Sequence, residues 1–178
     1  MDKFKEDFER YYHSIQYYFE QDFNDVKEFV ESIINHEVTW LDLIKLNNVH
    51  LKFEHNQSLN HLHGMTKNCD SVSCIWINPA WVYHYAQKLG VSMAFKIHLI
   101  HELYHVYEYY KKPFYMAYAQ ERKIACSEMA ANMYVIYILR CGIHPIKIEE
   151  NIKLNEKNNY KLRVAGLDAY VTSSKYEC

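Results

Sequence analysis

Residues 101 to 105 read His-Glu-Leu-Tyr-His. On a helix, positions i and i+4 lie one above the other on the same face, so His101 and His105 can approach one metal ion from the same side. Glu102 lies beside them, where it can hold a water and take its proton. Two imidazoles and a neighbouring glutamate at this spacing point to Zn2+ and to hydrolysis. A site of this donor type also accepts other divalent ions. The plain alternative is a solvated polar face on an amphipathic helix.

A catalytic zinc site needs a third protein ligand. Glu128 is the candidate, 23 residues after His105 in the run Cys126-Ser127-Glu128-Met129-Ala130-Ala131-Asn132. That is one helix plus one connection downstream, so the two helices can pack as neighbours. Ala125, Ala130 and Ala131 permit a close approach around the carboxylate. Asn132, one turn on, is placed to support a ligand imidazole. Glu121 is the rival, but its Gln-Glu-Arg-Lys setting reads as an exposed patch, and Glu108 is too near on the same helix to close a tetrahedral site.

The elements that must position these residues are legible in outline. Ser92 is a plausible N-cap for a helix running to about Tyr110 and stopped by Lys111-Lys112-Pro113; Leu99, Leu103 and Val106 give it an apolar flank. A long helix follows over about 115 to 140, ended by Gly142 and Pro145, with Met129, Met133, Ile136, Tyr137 and Leu139 as its buried stripe. Upstream, helices are expected over residues 2 to 20 and 23 to 35, the second with Phe23, Val26, Phe29, Val30 and Ile33 on one side. Val49, Leu51 and Phe53 alternate with His50, Lys52 and Glu54, which fits a half-buried strand. Residues 55 to 72 read as a polar loop, Cys74 to Ile77 as a strand closed by Asn78-Pro79, residues 80 to 89 as a helix ended by Gly90, and Lys161 to Ala165 as a possible strand. The expected architecture is α+β: mostly helical, with a small sheet preceding the active-site helix.

Ile100-His101-Glu102-Leu103-Tyr104-His105, followed by Glu128-Met129-Ala130-Ala131-Asn132, resembles the gluzincin metallopeptidases. More narrowly, it is similar to the ImmA/IrrE-type group, in which a His-Glu-Leu-x-His helix is followed by a Glu-containing helix with small residues and Asn. The resemblance covers roughly residues 74 to 140, and Tyr104 stands where a small residue is common. It implies a zincin-like fold, metal ligands at His101, His105 and Glu128, and Glu102 as general base. It also implies a strand near Ile75 to Ile77 able to pair with an extended substrate, and a protein substrate such as a phage or stress repressor. A single zincin-like domain over 1 to 178 is expected, with an N-terminal helical segment over 1 to 36 and a metallopeptidase core over 74 to 140.

Bulk properties narrow the rest. The chain has 178 residues, suited to one core, and a net charge of −2, which gives no electrostatic case for nucleic acid. The longest nearly apolar stretch, Met129 to Leu139, is too short to span a bilayer. The opening Met-Asp-Lys-Phe-Lys-Glu-Asp has no apolar core of a secretory signal, and five irregularly spaced cysteines read as reduced thiols, so a cytoplasmic location is expected. His61, His63, Cys69 and Cys74 have metal-capable atoms but the wrong spacing for structural zinc. His98 reads as a packed residue, and Tyr118, Tyr134, His144 and Tyr170 are all candidates to stabilise an oxyanion. The alternatives to a peptidase are a zincin-like regulatory or protein-interaction module with structural zinc, and a metal-free helical binding domain. Oligomeric state is not legible.

Overall fold

The structure is a computed structural model and describes residues 20–35, 39–46 and 48–140. Its centre is a run of β-branched and aromatic residues that cannot stay in water. The strand Ser73–Ile77 (β3) is almost wholly buried. It is flanked by Val49–Phe53 (β1), which pairs with it in parallel, and by Gly64–Asn68 (β2), which pairs antiparallel, giving the order β1-β3-β2. Ile75 and Ile77 are fully enclosed because each lies between two strands and under the helices.

Asn78 then starts a helix. Its side chain accepts from the Ala80 N–H at 3.0 Å, and Pro79 fills the first helical position, where no donor is needed. This helix, Pro79–Leu89 (α3), ends at Gly90 with φ +78°, a conformation that glycine adopts without penalty. The next helix, Val91–Lys111 (α4), begins at once, so Ser92 lies inside it and does not cap it. The single residue Gly90 turns the chain between the two helices. Lys112, in the left-handed region, closes α4, and a 3-10 turn over Phe114–Ala117 leads to Gln120–Leu139 (α5). Upstream, Glu20–Asn35 (α1) and Trp40–Leu46 (α2) complete the described helices; α2 was not anticipated.

One core joins these elements. Phe23, Val26, Val30 and Ile33 of α1 bury against α5, as their spacing predicted. From α4, Ile97, Ile100, Leu103, Tyr104 and Val106 enter it, and from α5, Met129, Met133 and Val135. Of the predicted α5 stripe, Met129 and Met133 are buried, while Ile136, Tyr137 and Leu139 pack at the margin. Tyr104 belongs to this core. It is fully buried, its hydroxyl bonded to that of Tyr115 and its ring against Tyr134.

Three further expectations change. The segment 55 to 72 is not all loop, because it contains β2. β3 is the central strand with both edges occupied, so Ile75–Ile77 cannot pair with a substrate. Cys74 is disulfide-bonded, whereas Cys69 and Cys126 are free, so the expectation of reduced thiols does not hold at Cys74. Among the described residues, no helix is long and apolar enough to cross a membrane. The expected helix over 2–20, apart from Glu20, the strand over 161–165 and the stops at Gly142 and Pro145 lie outside the described residues.

Candidate metal centre

His101 and His105 stand one turn apart on α4, and Glu128 projects from the facing helix α5. Their donor atoms converge. His101 Nε2 lies 3.3 Å from His105 Nε2 and 3.3 Å from Glu128 Oε2, and His105 Nε2 lies 3.5 Å from Glu128 Oε1. A tetrahedral zinc with ligand bonds near 2.05 Å has donor-to-donor edges of about 3.3 Å. The two imidazole nitrogens are spaced as one edge of such a tetrahedron, each faces a different oxygen of the Glu128 carboxylate at a similar distance, and one donor atom from each of the three residues lies within 4.8 Å of the others. No other group of three or more His, Cys, Asp or Glu residues among those described could hold a metal ion.

The protonation pattern of the metal-free site fits a cation site. Burial disfavours a charged His105, but hydrogen bonds to Glu108 and Glu128, with the charges of Glu128 and Glu102, outweigh it and hold the imidazole well above its ordinary range. Burial likewise opposes ionisation of Glu128, yet the two imidazoles draw its carboxyl far below the usual carboxylate range. The His105 proton is thus held against the Glu128 carboxylate, and a metal ion is the larger positive charge the same donors can take in its place.

Glu102 lies on the inner side of this group and is 6% exposed. Thr66 on β2 donates its hydroxyl to Glu102 Oε2 at 2.7 Å. Gly64, two residues earlier, leaves room for the other oxygen, since a Cβ there would lie 2.6 Å from Glu102 Oε1. The inward side chains of β2 also reach the backbone of α4. The Thr66 hydroxyl lies 3.0 Å from the Glu102 carbonyl, and Asn68 Nδ2 lies 3.4 Å from that of His105. β2 is polar because the helix face it covers is the one that carries the site.

Beside the three donors, at the wall of an open cleft, stands a buried acid. Glu108, one turn beyond His105, places Oε2 3.4 Å from His105 Nδ1. Ser127, next to Glu128, donates to the same oxygen at 2.7 Å. Burial pushes the Glu108 carboxyl up, but the His105 hydrogen bond and charge, with the Ser127 and Tyr115 hydroxyls, bring it below its ordinary value. From sequence, Glu108 was weighed only as a metal ligand and set aside, and the donor group indeed excludes it; Ser127 was given no role.

The open cleft, of about 430 Å³, is lined by Leu62, Met65, Tyr109, Lys123 and Ile124 together with Glu102, His105 and Glu128. Of the expected oxyanion groups, Tyr134 is fully buried in the core and Tyr118 lies under the Arg122 guanidinium at 3.9 Å. Neither lines the cleft, and Tyr109 is the tyrosine that does. His144 and Tyr170 lie outside the described residues. Asn132 donates to the Glu128 carbonyl at 2.9 Å. Glu121 is exposed, as expected of a surface patch. His98 is buried against Tyr85 and His63. Cys126, two residues from Glu128, is no nucleophile: burial first, then the Asp22 carboxylate, pushes its thiol up to about 12. Compared with family models, characterised proteins and solved structures, the chain gives no match.

Proposed function

We propose that this protein is a zinc-dependent metallopeptidase with a zincin-like fold, in which His101, His105 and Glu128 hold the metal and Glu102 is the general base. The observation that carries this reading is the convergence of two imidazole nitrogens and one carboxylate, one donor atom from each within 4.8 Å of the others, beside a buried glutamate on the wall of an open cleft. Zinc held there supplies Lewis acidity to a carbonyl and to water.

The chain's own residues do the rest. Glu102 accepts a proton from the attacking water and returns it to the leaving amine. Thr66 and Gly64 fix the direction of its carboxylate. The outer edge of β2, unpaired among the described residues, offers backbone donors and acceptors to an extended peptide. Met65 and Ile124, exposed apolar residues of the same cleft, take up substrate side chains. The substrate is a peptide segment of a protein, and the resemblance to repressor-cleaving peptidases makes regulators the first substrates to try.

Elemental analysis of the wild type beside His101→Ala tests the centre. One equivalent of zinc in the wild type and none in the variant is the expected result. If neither takes up metal after reconstitution with zinc, the function fails.

A further inference from the structure

We propose that Glu108, held by Ser127, is a positioning residue of the metal centre that fixes His105 in the tautomer presenting Nε2 to the metal. The inference rests on the proposed zinc site and adds a part of it that neither motif contains.

The argument is an accounting of hydrogens. Ser127 has one hydroxyl proton, and its shortest contact, 2.7 Å, is to Glu108 Oε2. An ionised carboxylate only accepts, so the proton lies on that line. The same serine oxygen is 3.3 Å from His105 Nδ1, and toward that atom it has only lone pairs left. Glu108 Oε2 is itself 3.4 Å from Nδ1. Two acceptors therefore converge on one ring nitrogen, and that nitrogen must carry hydrogen. A neutral imidazole protonated at Nδ1 has its free lone pair on Nε2, the atom that faces His101 and Glu128. A ligand imidazole commonly gives its second N–H to a carboxylate or carbonyl, which sets the ring's orientation and raises its basicity.

The placement of Glu108 is costly without such a role. It is 7% exposed, and Oε1 accepts no well-formed hydrogen bond although the Tyr115 hydroxyl is near enough to favour the ionised carboxyl. A buried carboxylate oxygen left without a partner destabilises the fold. The network also joins both ligand helices: Glu108 follows His105 by one turn on α4, and Ser127 precedes Glu128 on α5. One buried acid thus ties the backbone positions of two ligands together.

The test is zinc affinity, read by competition with a chromophoric chelator, for wild type, Glu108→Ala, Glu108→Gln and Ser127→Ala. Loss of such a supporting carboxylate weakens metal binding by about 10- to 100-fold, and that is expected for Glu108→Ala. Glu108→Gln keeps an accepting oxygen and should lose less; Ser127→Ala should also lose less than Glu108→Ala. Nitrogen-15 spectra of the imidazoles in the zinc-loaded wild type should show His105 protonated at Nδ1 and bound through Nε2, a signature that a merely structural role does not set. Zinc affinity within twofold of wild type in a folded Glu108→Ala, or His105 bound through Nδ1, overturns the proposal. Should Glu108→Ala not fold, unchanged affinity in both Glu108→Gln and Ser127→Ala overturns it. A wild type that binds no zinc removes the centre itself, whereas a wild type that binds zinc with variants that bind equally well removes only the role of Glu108.

Discussion

Glu102 is held from two directions, by the Thr66 hydroxyl on one oxygen and by the empty space over Gly64 on the other. Each can be removed separately. Glu102→Gln keeps the shape and removes the proposed base, so turnover should fall by a factor on the order of 10² to 10⁴ while zinc content stays at one equivalent. Zinc loss with activity kept would assign the role to the wrong residue. Gly64→Ala leaves every charged group in place and drives a methyl into Glu102 Oε1. The carboxylate must shift, and a displacement of about 1 Å at a reacting group costs on the order of 100-fold in rate. Assayed on the same peptide, an unchanged kcat would show that the carboxylate's position is unimportant. At this scale the sequence is informative where chemistry is local. His101, Glu102 and His105 were legible because helical spacing alone brings them together. Glu128 was legible because one connection of ordinary length reaches back to them. Thr66, Gly64 and Ser127 were not, since each meets the site only through tertiary packing.

The same division holds for the elements. The helices α1, α3, α4 and α5 were read from apolar periodicity and from the stops at Gly90 and Lys112, and β1 from strict alternation. The strand β2 was missed because its residues, Gly-Met-Thr-Lys-Asn, do not alternate apolar and polar. Its inner face meets a polar helix surface, so the usual signal of a half-buried strand has no reason to exist there. α1 shows how a distant element is fastened to the site's scaffold. Arg122 at the start of α5 binds Asp22 of α1 in two contacts, Nε to Oδ2 at 2.9 Å and Nη2 to Oδ1 at 2.6 Å. Asp22 is 2% exposed, while the Arg122 side chain is 35% exposed. Arg122→Ala strands a buried carboxylate. The full cost of breaking a buried pair is about 3 to 5 kcal/mol; because the arginine side is open to solvent, roughly 1 to 3 kcal/mol is expected here. Urea denaturation of the metal-free protein would measure it, and a change below about 0.5 kcal/mol would mean that α1 is held by its apolar face alone.

Across the whole molecule, the metal-free and zinc-loaded proteins should respond to pH in opposite senses. In the metal-free protein Glu128 and Glu108 ionise below their ordinary value of 4.5, so the stability they contribute is present above that value and is lost as pH falls through their folded values. His105 is raised above its ordinary 6.5, so its contribution is fully present below that pH and is lost as pH rises through its folded value. Within this cluster the metal-free protein therefore weakens as His105 gives up its proton, while the buried His98, held below its ordinary range first by burial, acts in the opposite sense and is the same with and without zinc. Zinc requires that same imidazole without the proton, so acid opposes its binding and alkali favours it. Bound zinc stabilises the fold by mass action in proportion to the logarithm of its effective affinity. The difference in Tm between zinc-loaded and metal-free protein should therefore widen steadily from about pH 5.5 to about pH 8, as the proton leaves the imidazole. Two calorimetric scans at each pH, one with excess zinc and one with chelator, measure it. A gap that stays constant or narrows over that interval would mean that zinc, if it binds, does not compete with the proton on His105, and the ligand set would have to be redrawn.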